Sequence, residues 1–310
     1  MAVQKKRTMS PLMRQQRRWG LIFLSPWVFG FLAFGLIPII ASLIFSFTDF
    51  RLTSGEAIQF NNFENWRRLF TQDTVIKDAI LNTLRFAAIA LPLSIVMPLL
   101  LAALLNSKYL FGKSIFRTLF YMPYVVPIIS AIYIWRGMLG TEAGWINRIL
   151  AEIGIKGPNW LQDAAFIYPA LNIIGLWTLG NAMLIMLAAM QGVPTELYEA
   201  AKVDGAGPIR RFFSITIPMI SPVIFYNLIL SVIGIFRYFE VPYILREDQS
   251  ANQAATMFPN VYLYKEGFAL NDMGYASVLA WVIFVLAMGA TILIFMSARF
   301  WVYYGAEERD

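Results

Sequence analysis

The sequence predicts an all-α membrane protein with six transmembrane helices and with its N-terminus and C-terminus both in the cytoplasm. Three observations carry that expectation. Of 310 residues, 58% are hydrophobic and 14% charged, and the mean hydropathy is +0.60, more apolar than a soluble fold of this length needs. Apolar runs with few charges, close to the ~20 residues that cross a bilayer as a helix, recur along the whole chain. Basic residues collect in alternate connecting segments, as flanks that resist translocation do.

Taken in order, residues 1–19 form a basic N-tail with Lys5, Lys6, Arg7, Arg14, Arg17 and Arg18. The tail leads directly into the first span, 20–47, so topology and anionic lipid explain its charge better than nucleic acid does. That span is too long for a signal-peptide core and has no convincing small-residue cleavage site behind it, so it is expected to be retained. Residues 48–81 form an outer-side loop. Residues 82–300 hold five more spans, near 82–106, 115–138, 164–191, 214–237 and 272–300, with a polar loop at 192–213. Residues 301–310 return to the cytoplasm. With the N-terminus inside, the inner segments are clearly basic and the outer ones slightly acidic, which places the 192–213 loop in the cytoplasm. Pro92, Pro98, Pro123, Pro127, Pro169, Pro218 and Pro222 are expected to interrupt four of the spans.

The residue inventory removes most chemistry. The chain has no Cys and no His, which excludes thiol nucleophiles, imidazole bases, Cys-His zinc sites and Ser-His pairs. No catalytic residue, metal site or cofactor is expected in it. FGKS at 111–114 resembles the end of a phosphate-binding loop, but Ser107 stands where the first glycine belongs, and a span rather than a strand precedes it. A short cytoplasmic turn with a topology-setting Lys113 accounts for it better. The span interiors hold no deep Asp or Glu. Arg85, Arg117, Arg136, Arg237 and Arg299 lie near ends where they reach water, and Glu240 lies just past one. Ion-coupled transport is therefore disfavoured, and the power for transport is expected from a partner.

YEAAKVDGAGPIRRFFSITIP, at 198–218, has the grammar of two helices joined by an elbow. Pro194 and Thr195 offer a start with Thr195 as cap, and Glu196 suits the first turn. Gly205 ends the first helix in the left-handed conformation, Gly207 and Pro208 begin the second, and Pro218 interrupts the ladder at the start of the fifth span. Ile209, Phe212, Phe213 and Ile215 lead toward the membrane. Ala200 and Ala201 let another surface approach closely, while Glu199 and Asp204 leave acids beside the elbow. From the residues alone, an amphipathic connector explains the loop equally well.

Glu199-Ala200-Ala201, Asp204-Gly205-Ala206, Phe213, Ile217 and Pro218 resemble the EAA signature of ABC importer permeases, the inner-membrane components of binding-protein-dependent transport. The wider chain resembles the carbohydrate-uptake branch, with maltose-type and glycerol-3-phosphate-type permeases. The stretches that carry this are SPW at 25–27, SFTDF at 46–50, FENWRRLF at 63–70, FRTLFYMPYVVP at 116–127, GWINRILAEIG at 144–154 and Asn159-Trp160-Leu161. The outer segment Phe239 to Asn260 departs from the branch, reading REDQSANQAAT in place of a Thr-Gly-Gly-Pro turn. The resemblance implies a type I ABC importer permease fold in a bacterial or archaeal cytoplasmic membrane. It implies a coupling helix in which Glu199, Ala200, Ala201, Asp204, Gly205 and Ala206 meet an ATP-binding subunit dimer that holds ATP and Mg. It also implies a second homologous permease and an extracytoplasmic solute-binding protein.

Candidates for the substrate path come from polar and aromatic residues sharing a helical face: Trp177, Thr178 and Asn181 in the fourth span, and Asn227, Ser231 and Tyr238 in the fifth. Aromatic faces with amide and hydroxyl groups suit a sugar, though inter-helix packing explains each residue as well. Two other functions stay open from the residues: a membrane scaffold that recruits a cytoplasmic partner, and an ion-coupled carrier.

Overall fold

The computed structural model describes residues 10–53, 55, 57–247, 249 and 251–304; Lys5, Lys6 and Arg7 of the basic tail and residues 305–310 lie outside them. The chain opens with α1 (Pro11–Phe31), a π-turn at Leu32–Leu36 and α2 (Ile37–Phe45), followed by α3 (Glu64–Thr71) and α4 (Val75–Asn106). Next come α5 (Lys113–Val125), α6 (Ile128–Met138), α7 (Trp145–Glu152), α8 (Ile167–Leu176) and α9 (Gly180–Gln191). The elbow region holds α10 (Thr195–Val203) and α11 (Pro208–Arg211), and a π-turn at Phe212–Thr216 leads into α12 (Ile217–Phe236). The chain ends with α13 (Glu240–Glu247), α14 (Pro259–Tyr264), a π-turn at Lys265–Ala269 and α15 (Met273–Trp301). Among the described residues, β pairing is limited to two isolated bridges, Thr48 with Phe60 and Arg51 with Asp272.

Four continuous stretches are long and apolar enough to cross a membrane: Pro11–Phe45, Val75–Asn106, Pro208–Glu247 and Met273–Trp301. Two more candidates are bent pairs, α5 with α6 at 102° and α8 with α9 at 57°, so the described residues hold four candidate spans, or up to six if each pair counts as one. The first bend follows from Pro127, which forces the residue before it out of helical geometry; Val126 is extended at φ −69° and ψ 130°. The second bend has no proline at it. Of the seven prolines expected to interrupt spans, only Pro127 sits at such a bend; Pro92, Pro98, Pro123 and Pro222 lie inside unbroken helices, and Pro169 falls in the first turn of α8.

Pro38 and Pro218 share one solution. Each stands second in an Ile-Pro pair directly after a π-turn, and Ile37 and Ile217 bond back five residues, to Leu32 and Phe212. The wide turn carries the missing donor and the bulky ring without a sharp kink. The first helix also starts earlier than the sequence reading placed it. Ser10 accepts a hydrogen bond from the Met13 amide at 3.3 Å and Pro11 fills the first turn, so Arg14, Arg17 and Arg18 stand on a helix rather than in a tail.

The chain divides into two compact units. One comprises the chain through Phe70 with Glu266–Val278. It gathers SFTDF and FENWRRLF into a single knot: the Asn65 side-chain amide donates to the Thr48 carbonyl at 2.8 Å and the Trp66 indole to the Ser46 hydroxyl at 3.2 Å. Arg68 pairs with Glu266 at 2.9 Å and Asp272 at 3.0 Å and lies 3.7 Å over the Tyr275 ring.

The other unit, Thr71–Lys265 with the chain from Leu279, is built on α4, against which α8, α9 and α12 pack. Gly180 lets α9 approach α5, since a Cβ there would stand 2.2 Å from the Phe120 carbonyl oxygen. A buried cluster of Ala102, Leu105, Met183, Met186, Leu187, Met190, Val193 and Ile220 joins α4, α9 and α12. In the segment 144–161, the buried Asn147 accepts from the Trp160 indole at 2.7 Å and donates to the carbonyls of Thr141 and Pro158, both at 3.0 Å.

Candidate functional site

Two places in the α4 unit concentrate candidate side chains: the elbow at 194–216 and a cavity half-way along α4. The elbow takes its shape from a complete Schellman ending. The Ala206 amide donates to the Ala201 carbonyl at 2.8 Å and the Gly205 amide to the Lys202 carbonyl at 3.0 Å, closing α10 over residue Gly205 at φ +77°. That is the physical content of DGA: only glycine takes the left-handed conformation without cost. Gly207 is extended and Pro208 opens α11, as the residue order predicts. Thr195 differs from expectation. It is the first helical residue and Pro194 holds the cap position with no side-chain hydrogen bond, so Thr195 does not cap the helix. Pro194, at φ −56° and ψ 132°, already fills the flanking position from which a side chain would cap α10.

The elbow presents two faces. Glu199, Ala200, Asp204 and Gly205 are exposed, Ala201 and Ala206 are half-buried, and Val203, Ile209 and Phe213 are exposed at 89%, 75% and 65%. Bulky apolar side chains thus stand uncovered beside acids, as they do at surfaces that meet another protein or a membrane. The opposite face is tied to the spans. The Tyr198 hydroxyl meets the Thr216 hydroxyl at 2.9 Å, and Tyr198, Phe212 and Ile215 pack on the cluster that joins α4, α9 and α12. The back of the elbow thus rests on side chains from three apolar helices. FGKS, by contrast, is a turn leading into α5, with Phe111 exposed at 95%.

The cavity measures about 360 Å³, within the range of ligand pockets. Its lining is mostly apolar, with Phe86, Ser94, Asn172, Thr178, Ser231 and Tyr238 supplying aromatic and polar groups. Phe86 and Tyr238 stack at 4.5 Å with planes 7° apart, and Phe258 meets Tyr238 edge-on at 5.2 Å. Ser94 and Thr178 donate their hydroxyl protons to Leu91 and Gly175 carbonyls of the same segment, which leaves their oxygens as acceptors. The Tyr238 hydroxyl is buried and has no hydrogen-bond partner among the described residues. A buried polar group without a partner costs stability.

Of the six residues chosen from sequence for a substrate path, Thr178, Ser231 and Tyr238 line this cavity and Trp177, Asn181 and Asn227 do not. Trp177 packs edge-on against Trp135 at 6.1 Å, and the buried Asn227 donates to the Val223 carbonyl of its own helix at 2.9 Å. Phe86, Ser94 and Asn172 escaped the sequence reading. Phe86, Ala90, Ser94 and Pro98 recur every four residues, a helical face visible in the sequence but indistinguishable there from ordinary packing.

The chain matches the family described as binding-protein-dependent transport system inner membrane component over residues 75–304. It is 34% identical over 297 residues to the probable ABC transporter permease protein YesP of Bacillus subtilis (strain 168), covering 95% of each chain. It is 33% identical over 286 residues to the lactose transport system permease protein LacF of Rhizobium radiobacter, covering 90% of this chain and 94% of that one. Among solved structures, a bacterial ABC transporter involved in the import of the acidic polysaccharide alginate aligns with a TM-score of 0.80 at 25% identity, over 94% of this chain and 99% of that one.

Proposed function

The chain belongs to the family of binding-protein-dependent transport system inner membrane components, and we propose that it carries a sugar across the membrane through the α4 cavity, driven through the elbow at 194–216. It is a permease subunit; in such importers ATP is hydrolysed by a separate ATPase subunit. The observation that carries the coupling reading is the two-faced elbow: a Schellman turn presents Glu199, Asp204 and bare apolar side chains outward, while Tyr198 and Phe212 seat its back on the cluster of α4, α9 and α12.

In this reading, closure of an ATPase dimer holding ATP and Mg pulls on Glu199, Ala200, Ala201, Asp204, Gly205 and Ala206. The pull moves α9, α4 and α12 against one another and so alternates access to the cavity. Each bent pair counts as one span, giving six, with both termini in the cytoplasm of a bacterial or archaeal cell. A second homologous permease completes the path, and an extracytoplasmic binding protein delivers the solute. The Pro11–Phe45 helix, with none of its apolar window buried, is left for lipid and that second permease to cover. Relatives whose names specify lactose or arabinooligosaccharides, and a mostly apolar cavity that holds aromatic rings and a few hydroxyls, support a sugar as cargo.

Reconstitution in proteoliposomes with the ATPase, partner permease and binding protein tests this. Sugar uptake is expected only with all four components and ATP. Uptake by this chain alone, or uptake that persists without ATP and collapses with an ion gradient, would refute it and restore the carrier; recruitment of a cytoplasmic partner with no uptake at all would favour the scaffold.

A further inference from the structure

A groove of about 550 Å³ lies beside the last turns of α12, along α15. Ile233, Phe236 and Arg237 line it from the face of α12 opposite the one that gives Ser231, Ile235 and Tyr238 to the α4 cavity. On α15 the lining keeps to one helical face, in steps of three and four from Ala280 through Ile283, Ala287 and Thr291 to Phe295. That stripe is about 22 Å long at ~1.5 Å per residue. At the Phe295 end α12 and α15 meet. Phe225 packs edge-on against Phe295 at 5.2 Å and Trp301 at 5.9 Å, and the Tyr303 amide donates to the Ser221 hydroxyl at 2.8 Å.

The other end is polar. Arg237, Asn260 and Thr291 are the lining's hydrogen-bonding side chains, and no acid lines it. The Thr291 hydroxyl is spent on the Ala287 carbonyl at 2.7 Å, inside its own helix. The Asn260 amide donates to the Phe236 carbonyl at 2.6 Å, which sets its side chain beside Arg237 and leaves its oxygen as an acceptor. Arg237 is exposed and makes no ion pair among the described residues; Glu240, three residues on, is exposed outside the lining. The groove is thus cationic at one end, apolar along its length and closed by aromatic rings at the other. A crossing helix from another subunit needs an unbroken apolar track of about 30 Å, whereas an acyl chain entering from the interface spans about half of that. A guanidinium at the mouth matches a phosphate.

We propose that this groove holds one anionic phospholipid, its phosphate on Arg237 and an acyl chain along the α15 stripe. The site requires that α12 and α15 cross a bilayer and is independent of the cargo. The test uses the assembled importer in detergent with a phosphatidylglycerol whose acyl chain carries a photoreactive diazirine, and maps the adducts by peptide mass spectrometry. Adducts are expected on the α15 face that holds Ala287 and Thr291. Unlabelled phosphatidylglycerol should displace them about fivefold more effectively than phosphatidylcholine with the same chains. Arg237→Gln should bring the two competitors together without lowering Tm, because the side chain is exposed and unpaired among the described residues. Ala287→Trp should fill the groove and abolish labelling. Equal competition by the two lipids in the native importer, or a preference that survives Arg237→Gln, would overturn the phosphate site. Labelling that misses this α15 face would overturn the lipid altogether and leave the groove to the partner permease.

Discussion

Replacing Gly205 by valine isolates the backbone's share of coupling. A Cβ at this position meets nothing within 4 Å, so substitution brings no clash and its whole cost comes from φ +77°. The left-handed conformation costs an L-residue about 1–2 kcal/mol, with a β-branched side chain at the upper end and asparagine at the lower. A penalty of that size lowers the population of the closed Schellman turn by roughly 5- to 30-fold relative to its alternatives. The exposed acids and the Tyr198 anchor then no longer hold one fixed geometry. In proteoliposomes, sugar taken up per ATP hydrolysed should fall in the order Gly205, Gly205→Asn, Gly205→Ala, Gly205→Val, while membrane insertion and thermal unfolding of the spans change little. A Gly205→Val importer with the native ratio would refute the argument. So would Gly205→Asn proving as defective as Gly205→Val, because the effect would then not be conformational.

Glu199 is exposed, so Glu199→Lys should leave Tm within about 1 °C while weakening ATPase pull-down several-fold; undiminished capture would remove it from the docking face. Tyr238→Phe keeps the 4.5 Å stack on Phe86 and deletes a buried hydroxyl without a described partner, so stability should hold or rise while sugar affinity changes by less than about threefold. Loss of stability with unchanged affinity would show that the hydroxyl serves the fold. Arg68→Met leaves the 5%-exposed Glu266 without its cation, at a cost of about 2–4 kcal/mol given that Arg68 itself is one-third exposed. Adding Glu266→Gln should recover part of that loss in thermal unfolding, and a double variant less stable than the single would contradict the pairing.

What the sequence determined by itself was local. Apolar length marked the helices that can span, because the hydrocarbon core fixes how many residues must be apolar whatever they pack against. Asp204-Gly205-Ala206 and Gly207-Pro208 determined the elbow, because a left-handed glycine and a proline at a helix start are decided within a few residues. Sequence distance is what defeated the rest. The pairing of Arg68 with Glu266, of Asn82 with Tyr168 and of Phe86 with Tyr238 joins residues far apart in the chain, and only packing chose among the possible partners. Asn227 and Ser231 stand one turn apart on α12 with equal claim to a substrate path, yet the first is buried on its own helix and the second lines the cavity. A helical face is periodic in the sequence, but what stands opposite it is not written there; the tertiary structure decided which polar side chains meet open space and which are satisfied by a neighbouring carbonyl.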